Sequence, residues 1–278
     1  MQQPPEITDR AALARNRSRA LRQGAETFLQ EEAAVEIKER LGEVNRRFTK
    51  PLIIGGFPDP WGDLWPDARR IADADLLDVA PQAHDLIIHA FGLHWANDPV
   101  GQLVQCRQGL VADGLFLGVM FGGRTLSELR AALAEAESGL TGGLSPRVLP
   151  MAEIRDIGGL LQRAGFALPV ADSVVKTVTY RTAFHLMADL RAMGEGNALA
   201  ARNRRWPRRD LFPEAARIYA QSFPADEGRV RATFEMMFLT GWSPHETQQK
   251  PLRPGSAAHK LADALRPGGG RDTSAKPL

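Results

Sequence analysis

HDLIIHAFGLHWANDPVGQLVQCRQGLVADGLFLGVMFGG, residues 84–123, decides the fold class. Asp85-Leu86-Ile87-Ile88-His89-Ala90 is an apolar run of strand length, and Leu115 to Phe121 is a second. Neither alternates with polar residues, so both faces are expected to be covered, as in a parallel sheet. Between them Pro99 to Leu110 carries Val100, Leu103, Val104 and Arg107 at helical spacing. Asn97-Asp98-Pro99 opens that helix with a capping carboxamide or carboxylate and a proline in the first turn. Asp113-Gly114 reads as a turn. Strand, helix and strand in this order form the repeating unit of a layered α/β fold.

Upstream, Leu21, Ala25, Phe28, Leu29, Ala33, Ile37, Leu41, Val44 and Phe48 recur at steps of three and four. This predicts helix from Thr8 to about Phe48, with possible breaks at Gly24 and Gly42. Arg10, Arg15, Arg17, Arg19 and Arg22 make its first part basic. Pro51 ends it, and Leu52-Ile53-Ile54 before Gly55-Gly56 reads as a buried strand and turn. FPDPWGDLWPDARR, residues 57–70, reads as a loop. Downstream, helices are expected at about 126–137 and from Met151 to Ala164, the latter closed by Gly165. A strand follows at Ser173 to Tyr180. Helices at Phe184–Met193 and Glu214–Gln221 flank the basic run ARNRRWPRR, and Val230 to Leu239 reads as a last strand.

The expected organisation is an N-terminal helical segment (1–50), an α/β domain (51–250) with a helical insertion at about 183–222, and a flexible tail (251–278). Residues 1–5 are also expected to be unfolded. The 278 residues are 44% apolar and 24% charged, enough for a self-sufficient core. A net charge of +2 argues against nucleic acid as a partner. The one cysteine, Cys106, excludes an internal disulfide and a Cys-rich zinc site, and reads as a buried thiol. No apolar run approaches the roughly 18 residues of a membrane span. The opening MQQPPEITDR lacks a signal-peptide apolar region, so a cytoplasmic location is expected. His89 and His94 do not make a metal pair, and no His, Asp or Glu grouping has ligand spacing.

Residues 84–123, together with LLQRAGF (160–166) and FEMMFLTGWSP (234–244), resemble the class I S-adenosylmethionine (SAM)-dependent methyltransferases. SPRVLPMAEIRDIGGLLQRAGFALPVAD (145–172), DLRAMGEGNAL (189–199), TGWSPHETQQKPLRPGS (240–256) and ITDRAALARNRSRA (7–20) resemble one branch more closely. That branch holds the bacterial relatives of mitochondrial complex I assembly factor 5, itself related to the biotin-pathway malonyl-carrier methyltransferases. The resemblance implies a Rossmann-like methyltransferase fold, SAM as cofactor, and methyl transfer to a small-molecule or protein acceptor. Two alternatives come with it. One is a non-catalytic binding or assembly factor for respiratory complex I; the other is an arginine hydroxylase-like activity on a complex I subunit. Fold alone does not choose among them.

The resemblance also implies site residues. Gly55 and Gly56 stand where the family's D-x-G-x-G-x-G loop begins, reduced here to IIGGFPDP. Asp75 and Leu76 lie in ADADLLDVAPQAHD, which is similar to the family's D-x-E-x-L-P loop. Phe91, Gly92 and His94 follow the family's fourth strand, and His94 and Trp95 are the candidate catalytic pair. Only residues 55–84 separate the first strand from the next, too few for a full double crossover, so the fold is expected to be truncated in its first half. Asp67, Asp73 and Asp75 are the candidate ribose ligands. Phe121-Gly122-Gly123 could bring backbone close to a ligand, and Met193-Gly194-Glu195-Gly196-Asn197 could act as a lid. Arg147 and Gln248-Gln249-Lys250 match the branch without a derivable role.

Overall fold

The computed structural model describes residues 6–55, 60–64 and 66–248. Gly56, residues 1–5 and the tail at 251–278, on which expectations were placed above, lie outside the described residues. The described residues up to Pro244 form one compact unit, and residues 245–248 fall outside it. The latter hold a turn in which the Gln248 backbone N–H donates to the His245 carbonyl.

Helix α1 (Arg10–Gln23) starts at Asp9, whose carboxylate accepts from the Ala12 N–H, and stops at Gly24, where φ is 93°. That left-handed backbone suits glycine and separates α1 from α2 (Phe28–Glu43). The periodic stretch is therefore two helices, and it ends before Phe48 although Gly42 is kept inside α2. Strand β1 (Pro51–Gly55) is followed by a one-turn helix α3 (Trp61–Leu64) and strand β2 (Arg69–Ile71). Both elements fall in the segment read as loop; prolines and a three-residue strand give no periodicity to detect. Next come β3 (His84–Ala90), a 3₁₀ turn at Leu93–Trp95, α4 (Pro99–Gly109) and β4 (Leu110–Phe121). The rest is α5 (Ser127–Thr141), α6 (Ile154–Arg163), β5 (Ala167–Tyr180), α7 (Ala183–Ala192), α8 (Leu211–Ser222) and β6 (Val230–Trp242). The Asp113-Gly114 turn lies inside β4, as an irregularity between the pairs His84–Leu110 and Leu86–Leu115, with Asp113 at φ 59°.

The six strands lie in the order β2-β1-β3-β4-β6-β5. The pairs β2–β1, β1–β3 and β3–β4 are parallel, whereas β6 runs antiparallel to both β4 and β5. The parallel half matches the unbroken apolar runs. In β5 burial alternates, as befits an edge strand with one covered face. Ile53, Leu86, Ile88 and Leu117 turn to the side packed by α2, α5, α7 and α8. Leu52, Ile54, Ile87 and Phe116 turn to the side packed by α4 and α6. Trp61 is fully buried on the α2 side, where its indole N–H donates to Gln30 at 2.9 Å.

Phe116 is fully buried, with its ring 5.0 Å from that of Phe166. Phe116→Ala is expected to lower unfolding stability by about 3–5 kcal/mol, because neighbours held in a sheet cannot close the hole. Urea denaturation checks this; a loss under about 1 kcal/mol would mean that the face is loosely packed.

Candidate functional site

Strand order reverses between β1 and β3, and ligands of open α/β sheets bind beyond the carboxyl ends of the strands at such a point. A cleft of ≈ 600 Å³ opens there. Its floor includes Ile53 and Gly55 of β1, one wall is the Arg70–Asp75 segment after β2, and the other is α1 through Arg10, Leu13 and Arg17. Gly55 has to be glycine: a Cβ would stand 2.7 Å from the Ala90 carbonyl oxygen at the end of β3.

Asp73 organises this cleft. It is buried, and its Oδ1 accepts from Arg17 at 2.5 Å while Arg10 lies 3.6 Å from Oδ2. Burial by itself would raise the carboxyl's pKa; the guanidiniums of Arg17 and then Arg10 outweigh it and hold the group below its ordinary value. Oδ2 has no hydrogen-bond partner. Gly92 lets Asp73 and His89 pack together, since a Cβ there would lie 2.7 Å from both side chains. His89 is fully buried in β3, with Nε2 3.1 Å from Gln102 Oε1. The Gln102 amide N–H₂ donates to the Ala74 carbonyl, so its oxygen faces His89 and the imidazole proton is assigned to Nε2. Burial pushes the imidazole pKa down to about 4, against the pull of Asp73 and Gln102.

Of the expected ligands, Gly55 borders the cleft and Asp75 sits on its lip, its side chain 56% exposed and bonded to Arg10. Asp73 is the buried member of the three acidic candidates. It was not separable from the others by sequence because β2, which delivers it, was not legible. Leu76 is 84% exposed and does not line the cleft. Phe91 is buried, its ring 4.7 Å from that of Phe121, and adopts φ 47° to turn the chain out of β3.

His94 and Trp95 fall on the 3₁₀ turn and are both buried. A single carboxylate oxygen holds them: Glu195 Oε2 accepts from the Trp95 indole at 2.7 Å and lies 3.3 Å from His94 Nε2. Glu195 belongs to the Met193–Asn197 segment after α7, so the expected lid is fastened to the catalytic candidates. Trp95, Phe121, Phe234 and Glu195 line a smaller, mainly apolar pocket of ≈ 200 Å³ between α5 and α7. Arg147 also reaches it, its charge taken by Glu137 at 2.7 Å. Glu137 further accepts from the Ser145 backbone and hydroxyl; burial opposes ionisation, but these bonds hold its carboxyl down to about 2.

Gly122 and Gly123 do permit close approach, but to protein. Cβ atoms there would meet Glu235 at 2.6 Å and Glu153 at 2.4 Å. Asp98 caps α4 through the Gly101 N–H. Asn97 instead clamps the N-terminal strand segment, accepting from Ile7 and Thr8 N–H groups and donating to the Thr8 carbonyl. Cys106 is buried, which drives its thiol pKa well up. Among the described residues, no group of three or more His, Cys, Asp or Glu is placed to hold a metal ion. No helix there is long and apolar enough to cross a membrane.

No family model matches the chain. A Danio rerio protein named arginine-hydroxylase NDUFAF5, mitochondrial, is 39% identical over 199 residues, covering 71% of this chain and 61% of that protein. Malonyl-(acyl-carrier protein) O-methyltransferase of Laribacter hongkongensis is 32% identical over 184 residues, covering 66% of this chain and 59% of that protein. Among solved structures, phosphoethanolamine N-methyltransferase 2 of Haemonchus contortus, solved with SAM, overlaps with a TM-score of 0.40 at 14% identity, covering 77% of this chain and 53% of that one. The chain is thus a homologue of the NDUFAF5 arginine hydroxylases and of the malonyl-carrier methyltransferases, and it spans less than two thirds of the length of these relatives.

Two measurements test this geometry. His89 has its folded-state pKa depressed, so the unfolded chain binds the proton first. Stability is expected to be full above about pH 6.5 and to fall as pH drops toward about 4, by up to about 1.4 kcal/mol per pH unit. His89→Gln removes that component in urea titrations, and an unchanged slope would assign it elsewhere. Glu195→Ala is expected to lower stability by about 1–3 kcal/mol by leaving the Trp95 N–H unpaired in a buried site. Glu195→Gln, which retains an acceptor oxygen, recovers part of it.

Proposed function

We propose that this homologue of the NDUFAF5 and malonyl-carrier methyltransferase proteins binds SAM in the cleft between α1 and the ends of β1 and β2, and transfers a methyl group to an acceptor in the Trp95 pocket. The observation that carries the reading is Asp73 Oδ2, a buried, ionised carboxylate oxygen at the switch point with no hydrogen-bond partner. An ionised carboxylate accepts from hydroxyls, the groups that a ribose offers. Gly55 leaves the floor without a side chain, and a volume of ≈ 600 Å³ is within the ~300–1,000 Å³ usual for ligand sites. Asp73 and Gly55 would hold the nucleoside, and Arg10 and Arg17 offer cations for a carboxylate. The cofactor's chemistry would be an electrophilic methyl group on a sulfonium. The chain's own contribution is alignment and exclusion of water: Glu195 fixes the Trp95 indole, and the apolar walls from Phe121 and Phe234 keep the acceptor side dry.

A second reading, arginine hydroxylation on a complex I subunit, is favoured by the name of the more similar relatives and by the small pocket. A carboxylate beside an indole and two phenyl rings suits a planar guanidinium. Service to respiratory complex I and a cytoplasmic location belong to the proposal in either case; the single cysteine supports a reducing compartment.

Isothermal titration with SAM and with S-adenosylhomocysteine tests the binding step. Binding is expected, and Asp73→Asn is expected to weaken it roughly 10–100-fold, the worth of a charge-assisted hydrogen bond. Absence of binding by the folded wild type rejects the cofactor assignment. Mass spectrometry of complex I subunits from cells with and without the protein then separates gain of a methyl group from gain of oxygen at arginine.

A further inference from the structure

Strand β5 forms one edge of the sheet, at the end away from the switch-point cleft, and no described strand lies beyond it. At 14 residues it is longer than most strands, and a long bare edge invites pairing. Its two ends are blunted. Pro169 lacks an N–H and sits in the irregular pairing between Ala167 and Val170. At the other end Arg229 donates to the Thr179 carbonyl. The middle is open. On β6, Thr233 and Glu235 turn their carbonyls to Leu126 and Gly122, away from β5, so the even-numbered residues of the two strands bond to each other. Ala171, Ser173, Val175 and Thr177 therefore direct their backbone N–H and C=O groups outward, and the last three are exposed. Charges usually guard such an edge. Here Asp172 and Lys176 are drawn over to α2, each 2.6 Å from its partner, Arg40 and Glu32 respectively, with 41% and 39% of their side chains still exposed.

We propose that β5 pairs antiparallel with β5 of a second copy of this chain about a two-fold axis at Val174, joining the two sheets into one. The outward groups then meet in hydrogen-bonded pairs, Ser173 with Val175 and Ala171 with Thr177 of the second copy, each repeated by the symmetry. Charge selects this register. With the axis at Val174, Asp172 stands opposite Lys176 of the second copy, and Lys176 opposite its Asp172, in non-hydrogen-bonded pairs where side chains are closest. An axis at Asp172 or Lys176 sets like charges face to face, and one at Ser173 or Val175 sets each charge against a valine. The strand is thus complementary to itself, which assigns the edge to a second copy rather than to an unrelated strand. The neighbouring groove supports this. Val35, 58% exposed, lines with Val174 an opening of ≈ 510 Å³ whose α2 wall carries Glu31, Glu36 and Glu39. The second copy brings Lys176 to that acidic wall and Val174 to its apolar floor. The switch-point cleft, at the other end of the sheet, stays open in the pair.

Sedimentation equilibrium of the full chain is expected to show a monomer–dimer equilibrium. Val175→Pro removes an outward N–H and leaves the pairing to β6 intact. It is expected to weaken dimerisation at least about tenfold, through the hydrogen bonds lost on both sides of the axis, with the melting temperature of the monomer near that of the wild type. Lys176→Glu and Asp172→Lys each set like charges across the axis and are expected to be monomeric alone. Mixed in equal amounts they form a heterodimer, because both cross-axis pairs are then of opposite sign; this restoration does not depend on what either change does within its own chain. Val174→Cys is expected to give a disulfide-linked dimer on mild oxidation, since the Cα atoms of a non-hydrogen-bonded pair lie about 4.5 Å apart. A wild type that stays monomeric up to about 100 μM overturns the proposal. So does a dimer indifferent to Val175→Pro and to the charge changes, which would place the contact on another face.

Discussion

Burying one carboxylate beside two guanidiniums sets the geometry of the whole candidate site. Asp73 stands at the end of β2, out of water, and Arg17 and Arg10 reach it from α1. Desolvation offsets much of the attraction in such a pair, so its contribution to net stability is small. Losing one partner is another matter: a stranded buried charge costs about 3–5 kcal/mol. The pair therefore acts as a locator. It fixes the basic face of α1 over the β1–β2 edge and defines the cleft wall. The same segment is held at a second point by Asn97 and at a third by the Asp9–Arg202 ion pair. The basic face of the N-terminal helix thus forms one wall of the candidate cleft.

A second carboxylate does comparable work on the other side of the switch point. Glu195 ties the helical insertion to the turn after β3 through Trp95 and His94. The two pockets therefore flank the end of β3 and are set by separate anchors, Asp73 for one and Glu195 for the other. Small residues keep the anchors close. Gly55 lets β1 end against Ala90, and Gly92 lets Asp73 and His89 share space that any side chain would fill.

The parallel half of the sheet was legible because Leu86–Ala90 and Leu115–Phe121 are apolar on both faces, a pattern few other environments allow. The helices around it were legible from period and caps, with errors of a few residues at their ends. The strand β2 was not, since three residues, two of them exposed arginines, carry no pattern. Missing it left the buried acid, Asp73, unseparated from Asp67 and Asp75. Glu195 was visible only as the acidic residue between two glycines. Its role depends on a contact with Trp95 made 100 positions away in the chain, which no local pattern reports. Composition did mark 201–209 as basic, but the projection of Trp206 into solvent required coordinates.

The lone thiol offers a practical consequence. Cys106 is enclosed in the core beside α6, and its environment suppresses the thiolate that alkylating reagents need. A cysteine introduced at an outer position such as Leu144 becomes the sole reactive handle without any background-removing substitution. Spin labels or dyes can then be attached directly to the wild-type scaffold.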